Sequence, residues 1–502
     1  MTGRRTRSPS LLLLSVVILA LTLRWPNIGR ESLWFDEAIS YLTAQFPINQ
    51  ILDNTIQSSH PPLYYLLLHF WQQLVPHTDA ALRLLGVIWN LLLVIFIYLL
   101  VNELFGKRPL ALWSAFLVAI SPFHILYSQE LRMYTQLMCL VTLGTYAYWQ
   151  ARSSIKWTWW LVFGGAFLAA VYTHLFAFLP LAGIGLHALL YHQDRRTLWR
   201  TSLAIFIICL CFIPWISLIV AESQKDLGSL RPLRQEVLNP IKFLSTAAFL
   251  IFGEPNQPIP VFGFNAQPVY IGVILFLTLA IMTVFLLEIR RIRREGTPSG
   301  LILILLITGC VLGVPILVYM IRPFFLPERT MAAASPFLLI LLAWATTRRQ
   351  SPLPYLVYGV AVFMLIGTLV YHTGDLLKPP YRAAIQFIAE NRLEEDSILH
   401  TSDGSYLPAL RYVQLPHHAL LAGDPDPRKP MPVYESVGGQ VWTREQASTI
   451  GSRLWLVVAI EHSVEWQQEQ ASFFKEQLTE LAFHDFGGIA VILYDYDLTG
   501  QN

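Results

Sequence analysis

Charge is what this chain of 502 residues has least of: Asp, Glu, Lys and Arg together make up 14%, against 54% hydrophobic residues. A soluble domain carries about 25% charged residues. The deficit is local, because long apolar runs alternate with short charged punctuation, and that pattern reads as many transmembrane helices of about 20 residues each. A net charge of +2 gives no electrostatic reason for a nucleic-acid partner. Cysteine is scarce too: Cys139, Cys209, Cys211 and Cys310 all fall within apolar runs, with neither metal nor disulfide-framework spacing. A Walker loop, a dinucleotide fingerprint, a zincin motif and a nucleophile elbow are all missing. Without a nucleotide site, an activated group has to arrive already attached to a lipid. The apolar runs are themselves almost free of ionisable side chains, which argues against ion-coupled transport and voltage sensing.

What is present is an ordered series of apolar runs. They suggest roughly eleven spans, near 9–25, 80–102, 110–127, 130–150, 157–173, 175–192, 199–220, 268–288, 300–321, 331–347 and 352–371. The first, in "MTGRRTRSPSLLLLSVVILALTL", is followed by Arg24, Trp25 and Pro26 rather than a small-x-small cleavage site, so it reads as an uncleaved span. Alternate connections are basic ("GRRTR", "GKRP", "ARSSIK", "HQDRRTLWR", "EIRRIRREG", "TTRRQ"). Lys and Arg excess marks the cytoplasmic side, which places the N-terminus inside and the acidic first loop, 26–79, outside. A second long outer loop is expected at 221–267. Residues 60–75 read as a helix lying in the outer interface, and "FLSTAAFLIFG" as another interfacial or re-entrant piece. Residues 372–502 have the composition of a small soluble α/β domain on the outer side. "YRAAIQFIAEN" has a helical apolar face; "SILHTS", "LWLVVAIE" and "IAVILYDY" read as strands, with a helix over 464–481.

The ionisable residues gather at the outer ends of the spans. In "SLWFDEAIS", Asp36 and Glu37 follow two aromatics. Asp36 fits a helix N-cap with Glu37 favoured by the dipole, and it equally fits a general base in a partly apolar pocket; one position can serve both ends. In "SPFHILYSQELRMYTQ", a regular helix would put Tyr127, Glu130 and Tyr134 on one face and Gln129, Arg132 and Gln136 on another. Glu130 and Arg132 then meet in one pocket only if the helix start is irregular. Helix-end interactions and snorkelling are the alternatives for this pair. His60 in "HPPLYY" and His174 in "YTHLF" are either site residues or ordinary loop and helix-connection histidines. Arg322 and Arg329 flank the outer turn "RPFFLPERTM" and suit phosphate, whether of bulk lipid or of a substrate. No spacing announces a metal site.

"LWFDEAIS", "HPPLYYLLLHFW", "SPFHILYSQELRMY" and "YTHLFAFLPL" occur in the order seen in bacterial GT-C glycosyltransferases of family 39, the protein-mannosyltransferase-like type, which this chain resembles. It is more distantly similar to lipid A aminoarabinose transferases. The resemblance covers roughly 10–340 and is strongest over 32–180. It implies an α-helical polytopic membrane protein of GT-C type, with outer-face interfacial helices and the C-terminal α/β domain. It also implies a polyprenyl-phosphate sugar donor and transfer on the periplasmic face of the bacterial inner membrane. The acceptor class, lipid, glycan or protein, is left open. Asp36 then matches the family's catalytic base, and Glu37 assists it or positions the acceptor. Relatives often carry a basic residue before the Pro-Pro pair, where this chain has His60; Arg132 and Arg329 are therefore the stronger phosphate partners, with Arg322 beside them. Glu130, Arg132 and Tyr134 match the family's "QE-x-R-x-Y" stretch, and His174 lies in the fourth motif. The expected reaction is a single inverting displacement that requires no metal, although a divalent ion is compatible with it.

Overall fold

The computed structural model describes residues 11–154, 156–190, 195–225, 242–253, 260–261, 264–265, 268, 271–279, 298–321, 328–347, 353–374, 378–422, 439–447, 452–459 and 464–496. Contacts divide the chain into two compact units. The first holds 1–27, 55–64 and 83–375; the second holds 28–54, 65–82 and 376–502.

The first unit is helical and belongs to a multi-pass membrane protein. Among the described residues four helices are long and apolar enough to cross a bilayer: Asp79–Phe105, Arg195–Glu222, Ser299–Ile321 and Leu353–Thr373. Other expected spans are helical but shorter, as in Leu11–Arg24, Thr158–Thr173 and Phe178–Leu190. The run at 331–347 contains an α-helix of only 11 residues, Ser335–Ala345, preceded by the 3-10 turn Glu328–Ala334. The expected span at 268–288 lies largely outside the described residues. The interfacial helix forms over Leu63–Leu74, and Lys242–Phe252 is helical as well.

The expected continuous span at 110–127 is instead two helices, Arg108–Ile120 and Pro122–Ser128, bent by 58°. Pro122 has no N–H to continue the ladder and biases its predecessor away from the helical region; Ser121 accordingly sits at φ −65°, ψ 124°. The break strips partners from the last carbonyls of the first helix, and three of them find new donors. Arg24, fully buried, donates to Ala119 O at 2.8 Å and Val118 O at 3.1 Å, while Thr368 Oγ1 donates to Ile120 O at 3.1 Å. The chain then makes a non-helical turn through Gln129–Met133 before the Tyr134–Ser153 helix begins. Gly86 lets that turn approach the Asp79–Phe105 helix: a Cβ there would sit 2.6 Å from Ser128 O.

The C-terminal part of the second unit is built on a six-stranded sheet: β1 (Ser397–His400), β2 (His418–Leu421), β3 (Gln440–Trp442), β4 (Arg453–Ala459), β5 (Thr479–Asp485) and β6 (Ile489–Asp495), in the order β3-β2-β1-β4-β6-β5. The first four are parallel, and β6 joins β4 and β5 antiparallel. The sheet therefore changes direction of growth at β1 and β4, as half of a doubly wound α/β fold does. Helix Tyr381–Asn391 forms over the expected stretch and packs Tyr381, Ala384, Ile385 and Ile388 against Ile398, Trp455, Val457 and Val491. The helix expected over 464–481 ends at Gln477, and 479–481 belong to β5. β5 is an edge strand exposed on nearly every residue, so it has no alternation to read. Gly487 (φ 78°) and Gly488 (φ 90°) allow the tight turn into β6.

Asp396 locks the entry to β1. It accepts from Arg453 Nε at 3.0 Å and Nη2 at 2.7 Å, from Trp455 Nε1 at 2.8 Å and from Leu393 N at 2.9 Å. Burial alone would raise this carboxyl, but the Arg453, Leu393 and Trp455 bonds outweigh it and hold the group below the usual carboxylate range. The folded form therefore gains stability from Asp396 above the free-carboxyl pKa of about 3.9, and loses it as pH falls through the lowered folded value. Asp396→Asn is expected to speed amide exchange in β4 and β6 at pH 7, with wild type and variant converging once the pH falls below the lowered folded value, as read by exchange mass spectrometry on the full chain. Gly86→Ala is expected to cost about 1–3 kcal/mol, because backbone rather than a flexible side chain has to yield. Thermal unfolding in detergent would check it.

Candidate active site

The candidate residues fall into two groups, one in each unit. In the second unit, helix Phe35–Thr43 starts from Trp34, which is extended at φ −89°, ψ 178° and occupies the N-cap position expected for Asp36. Asp36 is thus the second helical residue and Glu37 the third, both within reach of the positive end of the helix. Glu37 is fully buried, and its Oε2 accepts from Lys378 Nζ at 2.9 Å and from Trp34 N at 3.5 Å. The second contact is the reach-back half of a capping box. The Lys378 ammonium also stands 5.8 Å from the centre of the Trp34 ring. Asp36, by contrast, is only half-buried.

A second ion-pair cluster fixes the chain on both sides of this helix start. Asp79 Oδ2 accepts from Arg382 Nη2 at 2.5 Å and from Tyr412 Oη at 2.7 Å, and Arg411 Nη2 reaches Oδ1 at 3.4 Å. Tyr412 Oη in turn accepts from Leu33 N at 2.6 Å, and Ser32 Oγ accepts from Arg382 N at 3.1 Å. Burial and the neighbouring Asp79 charge push the Tyr412 phenol up, so it remains a donor. Arg411 stacks on Tyr41 at 4.2 Å, and Tyr41 Oη meets His77 Nδ1 at 3.0 Å. Trp34 packs on the core that contains Tyr381 and Ile385. The Ser32–Tyr41 stretch is thereby held by backbone, charge and ring contacts.

In the first unit the irregular turn Gln129–Met133 supplies the break in helical geometry under which Glu130 and Arg132 need not occupy opposite faces. Both are buried, as are Tyr134 and Gln136. Tyr134 meets Tyr127 edge-on with ring centres 5.3 Å apart and lies 6.2 Å from His174. His174 Nδ1 accepts from Phe176 N at 3.2 Å. Burial, with added pressure from the charges of His60 and Arg132, keeps this imidazole well below its usual range. His174 is therefore neutral at pH 7, with its proton on Nε2. Gln136 Nε2 donates to Thr173 Oγ1 at 2.9 Å and ties the two helix ends together. His60 donates from Nδ1 to Ser58 O at 2.7 Å. Arg329 is half-buried in the Glu328–Ala334 turn, which packs on helix Tyr134–Ser153 and on the Leu175–Ala177 turn. Arg322 lies outside the described residues. Among the described residues no three His, Cys, Asp or Glu side chains converge as a metal-holding group.

Lys378 is the residue that sequence reasoning missed. It stands 341 positions from Glu37, and no local pattern marks it. The Asp79–Arg382–Tyr412 cluster was equally silent, Asp79 standing 303 positions from Arg382 and 333 from Tyr412.

Residues 59–219 match the family model described as dolichyl-phosphate-mannose-protein mannosyltransferase. A search of curated proteins gave no match. Among solved structures, ArnT from Cupriavidus metallidurans in the apo state aligns with a TM-score of 0.60 at 12% identity, over 97% of this chain and 98% of that one. The same protein bound to undecaprenyl phosphate gives the same values. The S. cerevisiae protein O-mannosyltransferase Pmt1-Pmt2 complex, bound to the sugar donor, aligns over 51% of this chain and 38% of that one, at 17% identity and a TM-score of 0.34. Nearly the whole chain thus has the GT-C fold of ArnT, and its residues 59–219 are similar to the protein mannosyltransferases.

Proposed function

We propose that this protein is a membrane glycosyltransferase that moves a sugar from a polyprenyl-phosphate donor to an acceptor hydroxyl, with inversion at the anomeric carbon. One observation carries the reading: His60, Glu130, Arg132, Tyr134 and His174 all lie within the stretch matched by the mannosyltransferase family model. That ArnT, a protein of the same fold, has been captured with undecaprenyl phosphate supports the donor class.

Asp36 is the general base. It is half-buried at a helix start whose backbone is held on both sides, and it takes the proton of the acceptor hydroxyl as the oxygen attacks the anomeric carbon. The bond to the phosphate oxygen breaks, and the departing polyprenyl phosphate carries the electron pair. Its growing charge is met by Arg132 and Arg329, with Arg322 as a third candidate; a preorganised donor of this kind contributes about 10²–10³ in rate. Neutral His174, Tyr134 and Glu130 supply sugar-facing hydrogen bonds, and His60 borders the donor. Glu37 supports the helix start. The scheme draws its positive charge from the protein's own guanidiniums and requires no metal.

The protein sits in the bacterial inner membrane with its N-terminus cytoplasmic and residues 372–502 periplasmic, as the basic connections on alternate sides support. The acceptor is a lipid, a glycan or a protein. Whole-length likeness to the ArnT fold keeps an amino-sugar transferase acting on lipid A as a second reading, separable by which acceptor becomes labelled.

The test uses purified protein in lipid, a panel of radiolabelled polyprenyl-phosphate sugars, and host membranes as acceptor source. Wild type is expected to label a new acceptor, and Asp36→Asn to do so about 10³-fold more slowly with donor binding retained. Undiminished transfer by the variant would remove Asp36 as base. Donor translocation without transfer by either protein would make this a lipid transporter.

A further inference from the structure

Two helices that share a core with the C-terminal sheet each send a donor to the same carboxylate oxygen. Ala384 and Ile388 of helix Tyr381–Asn391 and Ala409 of helix Asp403–Tyr412 pack with Ile398 and Val457 of the sheet. The second helix is also tied near its start. Ser402 Oγ accepts from Gly404 N at 3.1 Å, and Tyr406 Oη donates to His418 O at 3.2 Å and accepts from Gln440 N at 2.9 Å. Its first turns are thus bonded to β2 and β3, and its last turn delivers Arg411 and Tyr412. Arg382 comes from the first turn of the neighbouring helix.

These side chains reach the segment that leads into helix Phe35–Thr43. Tyr412 Oη accepts from Leu33 N at 2.6 Å and donates to Asp79 Oδ2 at 2.7 Å. Arg382 Nη2 donates to that same oxygen at 2.5 Å and to Gly29 O at 3.2 Å, while its amide donates to Ser32 Oγ at 3.1 Å. Arg411 stacks on Tyr41, toward the other end of the acid helix, and donates to His77 O at 2.5 Å. Gln72 Nε2 adds a bond to Tyr41 O at 3.1 Å. A helix of nine residues is too short to persist by itself in water, so contacts of this kind decide where it begins and where it points.

We propose that Tyr412 and Arg382 are positioning residues for transfer: with Asp79 they set the start of the acid helix, and so the place of Asp36, which makes residues 376–502 part of the working transferase. This rests on the transferase reading given above. A displacement of about 1 Å at a reacting group costs on the order of 10²-fold in rate, so a change at the anchor is felt at the base. A tyrosine hydroxyl suits the anchor because one oxygen both accepts and donates. Tyr412→Phe removes those two bonds and keeps the ring, which lies 5.4 Å from the Arg382 guanidinium and 5.5 Å from that of Arg411.

A double-mutant cycle with Asp36 separates placement from stability. Tyr412→Phe is expected to lower kcat for transfer about 10–100-fold, with the donor KM unchanged. Added to Asp36→Asn, whose base is already gone, the same change is expected to cost less than about 3-fold in single-turnover transfer. Arg382→Lys keeps a cation on Asp79 but loses the planar fork that also reaches Gly29 O, and is expected to follow the same pattern. A side chain that only stabilises the fold lowers the amount of active protein, so its loss multiplies in both backgrounds. Multiplying losses would overturn the proposal and leave the transferase reading intact, as would unchanged transfer by both single variants. Undiminished transfer by Asp36→Asn would overturn it by removing Asp36 as base, and wild type without transfer from any donor would overturn both readings. If Tyr412→Phe does not fold, as checked by thermal unfolding of the full chain in detergent, the Arg382→Lys cycle decides.

Discussion

A carbonyl that loses its helical partner inside an apolar bundle has nothing to bond with unless another part of the chain brings a donor. The first unit is arranged around that constraint. Pro122 breaks a helix where the sequence otherwise reads as one span, and Arg24 and Thr368 take up the carbonyls released. Gln129, the first residue of the turn that follows, donates to Arg24 O at 2.7 Å and to Pro26 O at 2.8 Å, and accepts from Tyr371 Oη at 2.7 Å. His372 reaches Leu23 O at 2.9 Å. The ends of the Leu11–Arg24 and Leu353–Thr373 helices and the break are thus one hydrogen-bonded assembly. Its consequence is a buried, irregular Gln129–Met133 segment, which a regular helix could not provide. Glu130 and Arg132 owe their placement to it.

The apolar runs were legible because their cause is local: a span has to be apolar over its whole length wherever its neighbours are. The helix over Tyr381–Asn391 was legible for the same reason, since its apolar stripe is written at helical spacing. The break at Ser121 was not. Proline is tolerated in spans whenever neighbours satisfy the freed groups, so Pro122 alone does not distinguish a kink from a break; Arg24 does, and it lies 94 or more residues away. The strands not read from the sequence include β2, only four residues long, and β5, which is exposed along almost its whole length and so lacks the alternation that marks a half-buried strand.

The candidate site divides along the same line. Asp36, Glu37, Glu130, Arg132 and His174 stood out in the sequence because each sits in a compact motif. Their partners were not, because an ion pair needs only two residues that meet in space. Lys378 carries no sequence mark beyond being a lysine before two prolines. Asp79 looks like the first acidic residue of a long helix, which it is; that it also gathers Arg382, Arg411 and Tyr412 follows only from the fold.

The two acids of "FDEA" differ in what the helix asks of them. The third helical residue is the one whose side chain folds back to the N-cap amide, so Glu37 is drawn inward, loses water and needs a cation of its own. The second helical residue has no such duty. Asp36 lies within reach of the positive end of the helix and is half-buried where Glu37 is fully buried. Under the base role proposed for Asp36, the half-buried acid is the one set by the helix start, while the buried acid beside it is held by Lys378. The burial of Glu37 is then what fixes the helix start from which Asp36 projects.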